Sequence, residues 1–210
     1  MTIGGERLEL SQVLRPTPGQ IRLFGMSAAA LSAGAILSLF NLNLGARLSG
    51  LSLLALALWF LKNDLATRNI RHPNPLTRYI ASCLFAGFLW LALGGALHLY
   101  FGALYAGPLY DAALHSIFVG FVISMIFGHA PMIFPAILGT PITYRPAFYI
   151  QLILLHISLL IRILGDLANQ VDIRRWGGFL NETAILLFLV TTIYSVVKAQ
   201  NPAFVKESIL

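Results

Sequence analysis

Four histidines fall in stretches that carry almost no charge: His98, His115, His129 and His156. An ionisable ring at membrane depth is costly and marks a candidate functional site. Neutral imidazole is an axial ligand for haem iron, and two of them hold a low-spin, electron-transferring haem. His115 and His129 are fourteen residues apart. At about 100° and 1.5 Å per residue, that spacing puts them within roughly 40° of one helical face and about 21 Å apart along its axis. Phe85, Phe88, Phe118, Phe121, Phe127 and Phe134 offer apolar walls for a macrocycle. Gly94, Gly95, Gly120 and Gly128 would let a flat ring approach the backbone. Arg162, Arg174 and Arg175 are candidates to anchor propionates by bidentate pairing.

Each of these residues also has a plainer reading. A membrane histidine is often an interhelical hydrogen-bond donor. Arg162 and Asp166, four residues apart, read as a local ion pair. Glu182 reads as a proton-relay group or as a hydrogen bond across helices. Met125, His129 and Met132 lie near one helical face and have the ligand types that suit Cu(I), although methionine is also ordinary packing material. His72 sits in a basic loop before Pro73, where water solvates it.

The elements that must position these residues follow from composition. The chain has 210 residues, of which 58% are hydrophobic and 10% charged, with a mean hydropathy of +0.79. A soluble domain is about 45–50% apolar and about 25% charged. The solvent is therefore a bilayer, which excludes soluble enzymes, disordered tails and disulfide-stapled secreted domains. One cysteine, Cys83, cannot form an internal bridge. The net charge of +6 belongs to loops at the membrane face and is no argument for nucleic acid.

Charged residues divide the chain into apolar runs near the roughly 20 residues a spanning helix needs. The spans read as about 21–42, 46–62, 79–101, 110–135, 147–166 and 177–197. The second is short and needs Arg47 and Lys62 to snorkel at its ends. Breaks are expected at Asn41–Gly45, His72–Pro75, Gly107–Pro108, Gly139–Pro141 and Arg174–Gly178. Six spans put both termini on one side. That side collects Arg7, Arg15, Arg22, Lys62, Arg68, Arg71, Arg78, Arg145, Lys198 and Lys206, against Arg47, Arg162, Arg174 and Arg175 opposite, so both termini are expected in the cytoplasm. The expected fold is all-α: a polytopic membrane bundle of six transmembrane helices. Residues 1–20 form a cytoplasmic segment, 21–200 the bundle and 201–210 a cytoplasmic tail. Counting residues into each span pairs His98 with His115 in the outer half and His129 with His156 in the inner half, the latter to within about a turn.

The stretch from Asp111 to Pro146 resembles the second helix of haem–copper oxidase subunit I. The matching positions are His115, Met125, Gly128, Pro135, Gly139, Pro141 and Pro146. It is also similar to the NnrS-like haem- and copper-containing membrane proteins of the nitric-oxide response, through His115, Met125 and Gly128–His129. Tyr149, Arg162 and the aromatic stretch Phe188–Tyr194 follow in a similar order. These resemblances cover about residues 111–200 and imply haem ligation by His115. There is no His-Pro-Glu-Val segment and no His-His pair, so they imply no copper-and-oxygen centre.

The expected function is thus that of a b-type haem protein of the inner membrane. It would carry one or two haems, held by His98 with His115 and by His129 with His156. Its electron partners would be a quinone or a periplasmic cytochrome, alone or as a subunit of a larger membrane complex. A variant leaves one haem five-coordinate, able to bind nitric oxide or oxygen. The alternatives are a cofactor-free small permease, an assembly factor and a structural membrane subunit.

Overall fold

The computed structural model describes residues 8–9, 14–139 and 144–199. The expected tail 201–210 and the end of the Gly139–Pro141 break lie outside the described residues. Helix α1 (Pro18–Leu37) opens with a reciprocal capping box between Thr17 and Gln20. Helix α2 (Leu42–Asn63) starts where the Asn41 side chain accepts from the Leu44 amide. A short α3 (Leu65–Asn69) is capped by Asp64. Helix α4 (Pro75–Phe101) begins with Asn74 as cap and Pro75 at the first position, and ends at Gly102 with φ +69°.

The fourth span is one continuous helix of changing pitch. Helix α5 (Pro108–His115) passes into a π-helical stretch, Ser116–Ile123, and then into α6 (Ser124–Leu138), which stops at the left-handed Gly139. Helices α7 (Phe148–Leu167) and α8 (Val171–Ala199) follow. Among the described residues, six helical segments are long and apolar enough to cross a bilayer. The protein is a multi-pass, all-helical membrane bundle.

Two boundaries differ from the sequence expectation for physical reasons. The second span gains length at its start, because Asn41 caps a helix that already includes Leu42–Gly45. The expected break at Arg174–Gly178 lies inside α8. The turn is made by Ala168–Gln170 instead, with Asn169 at φ +53°. Gly177 permits close packing: a Cβ there would sit 2.5 Å from the backbone nitrogen of Arg162.

Packing follows the same logic elsewhere. Gly50 of α2 and Gly95 of α4 let those helices touch backbone to backbone; a Cβ on Gly95 would lie 2.7 Å from the Leu54 nitrogen. The main core runs through Trp59, Phe60, Tyr79, Phe88, Phe127 and Phe148. A second cluster of Leu97, Ala112, Ala113, Leu159 and Ile163 joins α4, α5 and α7. Ile150, Ile153, Ile157, Leu160 and Leu164 are exposed along one side of α7, as a lipid-facing stripe should be.

Candidate functional site

A group of charged side chains lies where α7 meets α5 and α8. Asp111 occupies the first turn of α5, where a carboxylate suits the helix N-terminus. From across the bundle, the Arg162 guanidinium donates to its Oδ2, from Nη2 at 2.8 Å and from Nε at 3.2 Å. On its own helix, Asp111 holds His115. The Nδ1 of His115 is 2.9 Å from the Asp111 carbonyl and 3.2 Å from Oδ1. Both neighbours are acceptors, so Nδ1 is the ring's donor toward Asp111. Glycine makes the space: Arg162 Nη1 lies where a Cβ on Gly178 would sit. One turn further along α7, the Asp166 side chain is fully buried and pairs with Arg174 of α8 at 3.7 Å. Arg162 thus reaches across to Asp111, and the local Arg162–Asp166 pair expected from the sequence gives way to two cross-helix pairs.

His129 has the same local arrangement as His115. Its Nδ1 donates to the Met125 carbonyl at 2.7 Å. His156 is held differently. The Trp90 indole, a donor only, bonds to its Nδ1 at 3.0 Å, with the rings 21° from parallel. The Nε2 of His156 therefore carries the hydrogen, and it is buried without a partner among the described residues. His98 is half-buried on α4, one turn beyond Gly94.

The expected histidine pairs are not brought face to face. Toward α4, the fourth span turns Ala113 and Ile117, both packed on Gly94. His115 is two residues from Ala113, about 200° around the helix, and faces α7 through Asp111 and Arg162. His98 lies on the other side, on α4. Trp90 touches both Gly120 and His156, so His156 is level with Gly120. Nine residues, or about 13 Å, separate that level from His129. The π stretch also removes the shared face expected for His115 and His129. Eight steps with i→i+5 bonding each turn less than an α-helical step and set the two rings about a quarter-turn or more further apart. His129 adjoins Gly128, which packs on Leu84 and Cys83 of α4, and exposed Ile126 and Ile133 flank it. The Met125–His129–Met132 face is also split: Met125 is buried against Gly87, and Met132 is exposed. Glu182 is on the exposed side of α8.

Other polar contacts were not signalled by spacing. Ser158 donates to Asn181, and Thr191 to Gln151, so α7 and α8 are stitched along a buried polar line. Among the described residues no group of three or more His, Cys, Asp or Glu side chains forms a metal cluster. The chain belongs to the family described as Domain of unknown function (DUF8744), whose model matches residues 1–197. No curated protein and no solved structure matches it.

Proposed function

From a family membership that assigns no chemistry, we propose, on the residues and their geometry, that this chain is a b-type haem protein of the inner membrane. His115 would hold the iron of a bound haem, and that haem would supply the chemistry of binding a diatomic gas, nitric oxide or oxygen. The observation that carries this reading is the tethering of His115 Nδ1 to Asp111, itself held by Arg162. Iron-ligating histidines almost always donate their other ring N–H to a carboxylate or carbonyl, which fixes the ring and raises its basicity. The donor set fits haem: with Nδ1 directed at two oxygen acceptors, Nε2 is the ring nitrogen left to meet an iron.

Haem b, when bound, supplies one-electron and gas-binding chemistry. The protein's part is to orient the imidazole through Asp111, to hold that carboxylate with Arg162, and to keep the site within an apolar bundle. His129, tethered in the same way, is the candidate ligand for a second haem. His156 is held by Trp90, so it is not the residue these contacts favour for a second bond to the iron. Electrons would come from a quinone or a periplasmic cytochrome, alone or within a larger membrane complex; copper on Met125 and His129 is a secondary option. The ten basic residues on the side of the termini support cytoplasmic ends and an inner-membrane location.

A structural-subunit reading is favoured by one observation: the charged groups at the α5–α7–α8 junction pair with each other and fasten three helices. The optical spectrum of the purified full chain, reduced with and without carbon monoxide, separates the two. The haem reading expects a Soret band that shifts on adding carbon monoxide. A spectrum with no Soret band would leave the structural reading.

A further inference from the structure

Helix α8 is 29 residues long, about 43 Å, which matches the roughly 40–45 Å of a bilayer with its headgroup layers. Its first turns therefore lie among lipid headgroups. Arg174 and Arg175 separate there. Arg174 points inward to Asp166, whereas Arg175 is exposed. Asp172, Arg175, Trp176 and Phe179 line one groove at the surface of this end of the helix. All four are exposed, with Trp176 at 65% and Phe179 at 60%. Asp172 and Arg175 are one turn apart, yet form no ion pair with each other or with any other described residue.

The order of these side chains along the axis is informative. Asp172 is nearest to water, Arg175 lies about 4.5 Å deeper, and Phe179 another 6 Å or so below it. A phospholipid with a primary-amine headgroup has the same order: ammonium outermost, phosphate next, glycerol and acyl chain beneath. We infer that this face of α8 holds one aminophospholipid of the bilayer. The Asp172 carboxylate accepts from the ammonium and the Arg175 guanidinium donates to the phosphate, as a planar fork suits phosphate oxygens. Trp176 lies at the depth where an amphipathic ring is favoured, and with Phe179 it covers the upper acyl chain. A purely anionic headgroup would meet the Asp172 carboxylate unfavourably. A choline headgroup has no N–H to give it.

The test is native mass spectrometry of the full chain in detergent, with equal amounts of phosphatidylethanolamine, phosphatidylcholine and phosphatidylglycerol. Phosphatidylethanolamine should be retained about tenfold over the others, the weight of one charge-assisted hydrogen bond. Asp172→Asn should lower its retention to that of phosphatidylcholine. Arg175→Gln should weaken all three. Both variants should melt like the wild type, because both side chains are exposed and unpaired among the described residues. Equal retention of the three lipids, or retention unmoved by Asp172→Asn and Arg175→Gln, would overturn the assignment. So would a dimer that Glu182→Gln dissociates, since the face would then belong to a second copy of the chain.

Discussion

Arg162 on α7 and Asp111 on α5, fifty-one residues apart in sequence, meet through two hydrogen bonds to one carboxylate oxygen, the shorter 2.8 Å. This contact joins the fourth and fifth spans at the turn of α5 that holds His115. It makes the histidine's orientation depend on a residue in another helix.

The first prediction concerns that pair. Asp111→Asn removes the carboxylate that a mostly buried guanidinium bonds to, leaving it only the charge of Asp166 beyond ion-pair distance, and should cost about 2 kcal/mol of stability in detergent. Exchanging the two residues, Asp111→Arg with Arg162→Asp, should recover part of the loss. Thermal unfolding of Asp111→Asn, of each single exchange and of the double exchange checks this; a double variant no better than the single exchanges would mean that the two residues do not act through each other.

A second prediction separates His156 from the ligands. Because Trp90 donates to its Nδ1, His156 serves as a hydrogen-bond partner in this arrangement. His156→Phe should reduce stability by about 1 kcal/mol and leave haem content unchanged. Loss of haem from that variant, at wild-type expression and folding, would return His156 to the iron.

Close helix contact gives a third. Gly95→Ala forces a methyl against the Leu54 backbone, and Gly120→Ala forces one into the Trp90 side chain. Both should destabilise the bundle by at least 1–3 kcal/mol, roughly the range of overpacking. Gly25 has open space around its Cα, so Gly25→Ala should be neutral or slightly stabilising. Melting temperatures that rank Gly25→Ala with the other two would contradict the packing described.

Topology supplies the fourth. Six spans place the link between Phe101 and Pro108 and the C-terminal end on opposite sides of the membrane. Reporter fusions at residue 104 and after residue 210 should give opposite signals, with the latter cytoplasmic. Matching signals would require a different number of spans.

The number and approximate limits of the spans were legible because charges and prolines punctuate the apolar runs. The start of α8 was not, because Gly177–Gly178 beside two arginines reads as a turn, whereas the fold uses those glycines to seat α7. The place of His115 near the start of the fourth span was legible too. Which helix it faces depends on the rotation set by Gly94 against Ala113 and on the π stretch, and neither has a signature in hydrophobic period. The i,i+4 spacing of Asp111 and His115 is a signal in the sequence; the partner that fixes Asp111 is distant and appears only in three dimensions. Trp90 and His156 meet for a similar reason: Gly120 removes the side chain that would keep the indole out.

The most direct test of the central claim is the haem content of the full chain and of His115→Ala, purified side by side from the same membranes. The haem reading predicts bound haem b in the wild type, and in His115→Ala the loss of the carbon monoxide-sensitive component with the helical fold retained. A wild type without haem, or a His115→Ala variant with unchanged haem content and spectrum, would contradict it and leave His115 as a hydrogen-bonding residue of a structural membrane subunit.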